Sequence, residues 1–206
     1  MSTGKNLFAF THNELNYYVL EDYSEHEQKI LDLIKDRKSW AGYSDQEILE
    51  EINSCRQILC AFDDDTLAGM LAIKQVTDFP GGRWAELGLY NTVQNFRIQK
   101  RLFQRFRSIA MATKLDELSI QCCKNMDVDF MMVTLYKDNW SALRAPAALG
   151  YSYWNELQYK TCSCGIYYLP LHDNVSDTML YNAFGERLEP PANWLTMVES
   201  LSHLSA

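Results

Sequence analysis

The spacing of hydrophobic positions changes from strand-like to helix-like within the first quarter of the chain. The segment NYYVLED has the alternating pattern of a strand. The next segment, SEHEQKILDLIKDRKSW, has apolar residues at helical spacing and opens with Ser24 and Glu27, the pair of a capping box. Ser44 and Glu47 repeat that pair ahead of a second helical run. The pattern therefore predicts one strand and two helices, joined through residues 41–43.

The middle of the chain has three strand-like runs that turn signals separate. RQILCAF and TLAGMLAIKQV flank three aspartates at positions 63–65, which predicts a hairpin. The segment TDFPGGR interrupts the chain again, and RWAELGLYNTV resumes a strand. We therefore expect a meander of three strands in this region.

Helical spacing returns in the second half of the chain. The stretch FRIQKRLFQRFRSIAMATKLDELSIQCCKNM predicts a long helix, with a break near Lys114. DFMMVTLY then predicts a strand, DNWSALRAPAALGY a short helix, and YSYWNELQYK and SCGIYYLPL two closing strands. This order predicts an α+β domain over residues 1–171. The remaining residues, 172–206, are expected to form a C-terminal extension that packs either on the core or on a partner.

Composition limits the classes of protein and partner. With 206 residues, 47% of them hydrophobic, the chain is long enough for one sizeable core and short for two. A formal net charge of −8 disfavours general binding to nucleic acid or anionic membranes, although a local basic patch keeps a nucleic-acid contact open. No apolar run is long enough to span a bilayer, and the N-terminus lacks the order of a signal peptide. We expect a soluble cytoplasmic protein, and a homodimer stays open.

The six cysteines predict neither a disulfide framework nor a metal site. A chain of this length and hydrophobicity builds a core without disulfide bridges, and four of the cysteines lie in apolar or helical stretches. Cys162 and Cys164 have no second Cys or His pair at zinc-finger spacing from them. We therefore expect ordinary thiols and no bound metal.

The most specific motif is the segment DNWSALRAPAALGY, which follows the predicted strand DFMMVTLY. Asn139 opens its helix, where the side chain can cap free backbone N–H groups or reach a ligand laid across the helix end. Gly150 ends the helix, because glycine tolerates the left-handed conformation of a C-terminal cap. Tyr151 then enters the next strand.

This spacing of Asn139, Ala142 and the pair Gly150 and Tyr151 resembles the fourth helix of the GNAT superfamily of acyl-CoA-dependent N-acyltransferases, usually written N-x-x-A-x-x-x-Y-x-x-x-G-F. The predicted order of elements is also that of the superfamily, over roughly residues 16–171. The resemblance implies a GNAT-like mixed, mostly antiparallel central sheet flanked by helices. It also implies acetyl-CoA or another acyl-CoA as co-substrate, and a small-molecule or macromolecular amine as acceptor.

The resemblance places the CoA pyrophosphate at the start of the long helix, where the superfamily carries Q/R-x-x-G-x-G/A. Here Arg97 is retained, but Lys100 and Leu102 stand in place of the glycines. The stretch 97–107 is strongly basic, which favours a phosphate-bearing ligand and is equally typical of a solvated helix face. The candidate residues for binding acyl-CoA are Thr92, Val93, Arg97, Gln99, Lys100, Arg101 and Asn139.

Glu86 is the first candidate for the base that deprotonates the amine. It is a carboxylate in an otherwise apolar strand, and the superfamily often places its base on this strand. In an alternating strand Glu86 shares a face with Gly88, whose small size would leave room for a ligand. The alternative is that Glu86 pairs with an arginine or faces solvent.

The general acid is harder to assign. Pro146 occupies the position of the superfamily tyrosine that often protonates the leaving thiolate, and a proline cannot act as a general acid. Tyr90 and Tyr151 are candidate substitutes, with the alternative that both are ordinary core tyrosines. Trp40 and Tyr43, between the first two helices, would border the acceptor site in this fold, either as a gate or as packing.

Two functional classes remain after these observations. The first is a divergent N-acyltransferase in which the amine attacks the acyl-CoA thioester directly, and Glu86, Arg97 and Asn139 favour it. The second is a GNAT-fold protein that does not use acetyl-CoA, which Pro146 and the absent glycines favour. Such a protein would modify nucleic acid or nucleotides, as the phage Mom-type DNA-modification proteins resemble this fold while using other donors, or would bind a partner without catalysis. We prefer the acyltransferase hypothesis.

Overall fold

The computed structural model describes residues 6–35, 42–92, 103–136, 139–158 and 163–202. These ranges contain strands and helices in mixed order. The strands are β1 (Leu7–His12), β2 (Leu15–Leu20), β3 (Gln57–Asp63), β4 (Thr66–Phe79), β5 (Gly82–Thr92), β6 (Phe130–Tyr136), β7 (Ser152–Gln158) and β8 (Ser163–Pro170). The helices are α1 (Glu27–Lys35), α2 (Asp45–Ser54), α3 (Phe103–Asn125), α4 (Trp140–Ala148), α5 (Asp177–Phe184) and α6 (Ala192–Ser202).

The eight strands form one sheet in the order β1-β2-β3-β4-β5-β6-β8-β7. β5 and β6 run parallel, whereas the pairs β1–β2, β2–β3, β3–β4, β6–β8 and β8–β7 are antiparallel. The predicted α+β class with a mixed, mostly antiparallel sheet is therefore confirmed. The chain divides into two compact units, which we name unit 1 (residues 1–75 and 88–119) and unit 2 (residues 76–87 and 120–206).

Unit 1 opens with a hairpin whose first strand, β1, the sequence pattern did not predict. β1 and β2 pair as far as His12 and Leu15, and the two residues between them, Asn13 and Glu14, have φ angles of 49° and 67°. Two left-handed residues in a two-residue loop are typical of a type I′ turn, for which Asn is a favoured first residue. The signal for β1 is therefore an Asn between two runs of strand-forming residues.

The two predicted capping boxes have different outcomes. Ser44 caps α2 as predicted, because its Oγ accepts a hydrogen bond from the Glu47 N–H at 3.3 Å while the Ser44 N–H donates to Glu47 Oε2 at 2.7 Å. Ser24, in contrast, lies in a short 3-10 turn ahead of α1, and its N–H donates to Asp22 Oδ1 at 2.9 Å. The prediction of a Ser24 cap is therefore wrong, because a turn held by Asp22 precedes the helix.

The core of unit 1 forms where α1 and α2 pack against β2, β3 and β4. The predicted hairpin at the three aspartates is confirmed, with Asp63 paired to Thr66 across a two-residue loop. Alternate residues of β3 then point toward the helices, as the period of a strand requires. The buried side chains of this cluster are Leu20, Ile30, Leu31, Leu33, Ile34, Ile48, Ile52, Ile58, Cys60, Phe62, Leu67 and Met70.

The predicted long helix is present as α3, and it continues through Lys114 without the expected break. Its 23 residues contain neither Gly nor Pro. The residues around Lys114, Ala-Thr-Lys-Leu-Asp, therefore carry no feature that would interrupt the backbone hydrogen bonds of a helix.

Unit 2 contains the parallel pair and the closing strands. β5 and β6 are in register from Trp84 with Phe130 to Leu87 with Val133. β8 lies between β6 and β7, so the chain passes from β6 through α4 to the edge strand β7 and then returns to the middle. The two predicted closing strands are thus confirmed as an antiparallel hairpin.

The C-terminal extension packs on unit 2 through both of its helices. Leu180 of α5 is 1% exposed and lies in one apolar cluster with Phe130 and Trp154. α6 contacts α4, and the ring of Trp194 lies 4.5 Å from that of Tyr167. The extension is therefore part of the unit 2 core, whereas the division of the chain at residue 171 stays a prediction.

Three further observations concern the described ranges. The cysteines at positions 55, 60, 122, 123 and 164 are not joined in disulfide bonds. Within the residues that the structure describes, no group of three or more His, Cys, Asp or Glu side chains is arranged to hold a metal ion. None of the helices in this part of the chain is both long and apolar enough to cross a membrane.

Candidate active site

Glu86 lies on β5 in the parallel part of the sheet. Its register partner on β6 is Met132, and the preceding residue on the same face of β5 is Trp84, which is paired with Phe130. Glu86 is half-buried. A partly desolvated carboxylate on a rigid strand has the chemistry of a general base, so the geometry keeps Glu86 as the candidate.

Gly88 does not leave open space in the way the sequence pattern predicts. A Cβ built on Gly88 would stand 2.5 Å from Cδ of Lys74. Lys74 is itself held by a salt bridge, with its Nζ 2.7 Å from Oε1 of Glu51 on α2. The missing side chain at Gly88 therefore makes room for the stem of Lys74 rather than for a ligand.

The helix that carries the specific motif has the predicted ends. At its start, Oδ1 of Asn139 accepts a hydrogen bond from the N–H of Ala142 at 3.3 Å. At its other end, Gly150 has a φ of 83°. The N–H of Tyr151 donates to the Pro146 carbonyl at 3.0 Å and the N–H of Gly150 to that of Ala147 at 3.2 Å, which together form a Schellman motif.

These contacts assign structural roles to the motif. The Asn139 cap and the Gly150 stop are confirmed, whereas contact of Asn139 with a ligand stays a prediction. Pro146 is buried inside α4, where its ring has no proton to give. Tyr151 is 4% exposed and immediately precedes β7. Its role as a substitute acid stays a prediction.

The remaining candidates are placed less completely. Tyr90 and Thr92 belong to the second half of β5. Tyr43 is 55% exposed and directly precedes the cap of α2, as expected of a residue that borders a binding site or a solvated loop. The other candidates, Trp40, Val93, Arg97, Gln99, Lys100 and Arg101, lie outside the described residues.

A polar cluster on β7 and β8 is absent from the sequence-based candidates. Glu156 accepts hydrogen bonds from Tyr153 Oη at 3.2 Å and from Ser163 Oγ at 3.1 Å. Burial, and then the nearby Glu156 carboxylate, raise the pKa of Tyr167 to about 12. Alternation of polar and aromatic residues in YSYWNELQYK is the only sequence signal for this cluster, because its members come from two strands.

An aromatic cluster next to Glu86 is also absent from those candidates. Phe184, the last residue of α5, lies with its ring centroid 5.3 Å from Trp84 and 5.6 Å from Phe130. Both partners belong to the parallel strands, one position before Glu86 and Met132 on the same face. The sequence signal is weak, because Phe184 lies about a hundred residues beyond the strand that it covers.

Comparison with known proteins gives the fold. No protein-family model and no curated protein matches the sequence. A chain in the crystal structure of the NatC complex bound to Gag peptide and CoA matches with a TM-score of 0.61 at 19% identity, over 77% of this chain and 99% of that chain. The ribosomal-protein-S5-alanine acetyltransferase from Vibrio fischeri matches at 0.58 and 14% identity, over 80% and 97%.

A further match is the ribosomal-protein-S18-alanine N-acetyltransferase from Escherichia coli, with a TM-score of 0.58 at 11% identity, over 78% of this chain and 99% of that chain. In each case the match covers nearly the whole of the known chain. The sequence identities are low, so the likeness concerns the path of the backbone. The chain therefore has the fold of the GNAT acetyltransferases.

Proposed function

We propose that the protein is an N-acyltransferase that transfers an acetyl or longer acyl group from acyl-CoA to an amine. The observation that carries the proposal is the position of Glu86, a half-buried carboxylate on the parallel strand pair of a sheet with the GNAT fold. A base held on a rigid strand can accept a proton without moving the backbone, which direct attack by an amine requires.

In the proposed reaction the amine nitrogen attacks the thioester carbonyl carbon of acyl-CoA. The carbonyl oxygen becomes an oxyanion, which a strand N–H stabilises, and the carbon–sulfur bond then breaks. Glu86 receives the proton of the amine, directly or through a water molecule. The CoA thiolate receives a proton from Tyr90 or Tyr151, the two candidate acids on and beside the strands of the sheet.

For acyl-CoA, we propose a contact that relies on side-chain charge. Lys100 and Leu102 replace the superfamily glycines, and glycine is the residue that lets a backbone approach a pyrophosphate closely. Arg97, Lys100 and Arg101 supply three cations instead. The other proposed contacts are Thr92, Val93, Gln99 and Asn139.

The acceptor is proposed to be a primary amine. The similar structures include a complex that holds a peptide and two enzymes named for the alanine of a ribosomal protein. These names favour a macromolecular amine over a free small molecule. Trp40 and Tyr43 are proposed to border the acceptor, and the exposure of Tyr43 is compatible with that role.

Calorimetric titration with acetyl-CoA and with CoA tests the proposal first. We expect micromolar binding that the double variant Lys100→Ala, Arg101→Ala weakens by at least tenfold, because two charge-assisted contacts to phosphate are removed. The matched control is Lys35→Ala, which removes an exposed cation that is paired with Asp45 on unit 1. Absence of binding to either ligand by the wild type would contradict the proposal.

The second test concerns Glu86. In an assay that follows release of free CoA with a mixture of peptides as acceptors, Glu86→Gln should lower kcat by about 10² to 10⁴ while acetyl-CoA binding is retained. Glu50→Gln, an exposed carboxylate on α2, is the matched control and should leave kcat unchanged. An unchanged kcat in Glu86→Gln would remove Glu86 from the mechanism.

One observation favours a second candidate function. Both superfamily glycines and the superfamily tyrosine are replaced, by Lys100, Leu102 and Pro146. A GNAT-fold protein that has stopped using acetyl-CoA would tolerate these changes. If the wild type fails to bind acetyl-CoA and CoA, the same calorimetric assay with nucleotides and short DNA or RNA distinguishes modification of nucleic acid from binding without catalysis.

A further inference from the structure

Helix α5 covers the face of β5 that carries Glu86. Trp84 and Glu86 are two positions apart, and alternate residues of a strand share a face. The ring of Phe184 contacts Trp84 and also Phe130, the register partner of Trp84 on β6. The C-terminal extension therefore occupies this face up to the position immediately before Glu86.

The helix also advances toward Glu86 along the strand. At the start of β5, a Cβ built on Gly82 would stand 2.6 Å from Cε of Met179, whereas Phe184 lies over Trp84. The five residue steps from Met179 to Phe184 span about 7.5 Å of helix, and the two residue steps from Gly82 to Trp84 span about 7 Å of strand. The two distances are similar, so α5 follows β5 in the direction of Glu86. The last residue of α5 therefore lies over Trp84, two residues before Glu86 on the same face of β5.

The end of α5 is held in place by hydrogen bonds. Gly185 has a φ of 77°, and its N–H closes the helix on the carbonyl of Tyr181 at 2.8 Å. Asn155 Nδ2 donates to the carbonyl of Phe184 at 3.1 Å, and Trp154 Nε1 donates to the carbonyl of Gly185 at 3.0 Å. Because two side chains of β7 hold this turn, the Phe184 ring is a fixed surface and not a mobile lid.

We propose that Phe184 forms one wall of the acceptor site beside Glu86 and limits the size of the group next to the reacting amine. The inference rests on the proposed acyl transfer and adds a substrate class to it: primary amines with a small neighbouring substituent, such as peptide N-termini that begin with Gly, Ala or Ser. A bulky substituent meets an aromatic ring that Trp84 and Phe130 hold from behind. Phe184 acts on specificity, whereas proton transfer belongs to Glu86.

The test compares acceptors in four proteins: the wild type, Phe184→Ala, Phe184→Leu and Tyr181→Ala. The acceptors are two amidated tripeptides that differ only in the first residue, Ser or Phe, and acetyl-CoA is the donor. In Phe184→Ala, we expect kcat/KM for the Phe peptide relative to the Ser peptide to rise about tenfold or more, since a changed pocket volume discriminates by such factors. Phe184→Leu should give an intermediate ratio. Tyr181 is 59% exposed on the same helix, so Tyr181→Ala should leave the ratio unchanged.

Every other outcome overturns the inference, and each shows whether the proposed acyl transfer fails with it. An unchanged ratio in both Phe184 variants, with acetyl-CoA binding intact, removes Phe184 from the acceptor site and leaves the proposed acyl transfer standing. If acetyl-CoA binds but neither the wild type nor a Phe184 variant uses either peptide, peptide N-termini are not the acceptors, and the inferred substrate class is overturned. Failure of the wild type to bind acetyl-CoA overturns the proposed function itself, and the inference with it. Where Phe184→Ala does not fold, as judged by circular dichroism, Phe184→Leu decides.

Discussion

The cores of the two units differ in both composition and sequence range. In unit 1, mostly aliphatic side chains of α1 and α2 pack against strands, and the buried cluster lies within about fifty residues of sequence, from Leu20 to Met70. In unit 2, aromatic rings dominate, and they come from strands and a helix spread over about a hundred residues. Local periodicity can predict the first kind of core, whereas the second forms only when distant segments meet. The unit 2 cluster consists of Phe79, Trp84, Phe130, Trp154, Tyr168, Leu180 and Phe184, together with Val175, Met179 and Ala183.

Removing the C-terminal extension is expected to have the largest effect, because it removes part of the unit 2 core and leaves the unit 1 cluster complete. A chain that ends at Leu171 lacks Leu180 and Phe184, so Phe130 and Trp154 would lose the helix that covers them. Exposing several large apolar side chains at about 2 kcal/mol each approaches the whole stability of an ordinary domain. We therefore expect the truncated chain to lose its cooperative thermal unfolding transition, as followed by circular dichroism. A chain that ends at Ser202 is the control and should unfold like the full chain.

A matched pair of leucines in the extension sharpens this result. Leu180 is 1% exposed and Leu195 is 48% exposed, so both are leucines on extension helices with opposite burial. Leu180→Ala should lower the free energy of unfolding by about 2 to 5 kcal/mol, and Leu195→Ala by about 0.5 kcal/mol or less. Urea unfolding measures both values. Equal, small effects would mean that the extension is an appendage that the unit 2 core does not need.

Each unit also contains a fully buried tyrosine whose hydroxyl finds no hydrogen-bond partner among the described residues, Tyr17 in unit 1 and Tyr167 in unit 2. Replacing each by Phe removes a desolvated, unpaired hydroxyl, so the free energy of unfolding should rise by about 1 kcal/mol in both. Tyr153→Phe is the contrasting variant, because Tyr153 Oη donates a hydrogen bond to Glu156. Its free energy of unfolding should fall by about 1 kcal/mol. A lower free energy of unfolding in Tyr167→Phe would mean that the Tyr167 hydroxyl does have a hydrogen-bond partner.

Tyr17→Phe and Tyr167→Phe should also change how the free energy of unfolding depends on pH in alkaline solution. Burial, and then Glu117, raise the pKa of Tyr17 to about 12, and burial and Glu156 do the same for Tyr167. A phenol with a raised native pKa stabilises the fold below its ordinary value of about 10 and loses that effect as the pH rises to about 12. Urea unfolding between these pH values should therefore be less pH-dependent in Tyr17→Phe and Tyr167→Phe than in the wild type.

The sequence predicted most of the local structure and less of the site. The Asn139 cap and the Gly150 stop follow from conformational preferences of single residues, so they are visible without the fold. The room expected at Gly88 is instead filled by Lys74, which the pairing with Glu51 brings there. That contact depends on how β4, β5 and α2 pack, and no local pattern encodes it. The position of Phe184 next to β5, the strand that carries Glu86, was missed for the same reason.

The smallest expected difference between the units concerns their helix caps. Ser44 caps α2 in unit 1 and has Glu47 at the third helical position, whereas Ser176 caps α5 in unit 2 and has Met179 there. Ser44→Ala and Ser176→Ala should each lower the free energy of unfolding by about 1 kcal/mol at pH 7, because each removes a side chain that accepts a hydrogen bond from a helix N–H.

Acid should distinguish these two caps. Hydrogen bonds from the Ser44 N–H and then from its hydroxyl lower the pKa of Glu47 below its ordinary value of about 4.5. A carboxyl with a lowered native pKa stabilises the fold above its ordinary pKa, and that effect is lost as the pH falls through the native pKa. The cost of Ser44→Ala in urea unfolding should therefore shrink between pH 7 and pH 3, because protonation of Glu47 as the pH falls weakens the box in the wild type. The cost of Ser176→Ala should stay the same at both pH values, and an equal acid dependence of the two would show that the Ser44–Glu47 pair does not act as a capping box in solution.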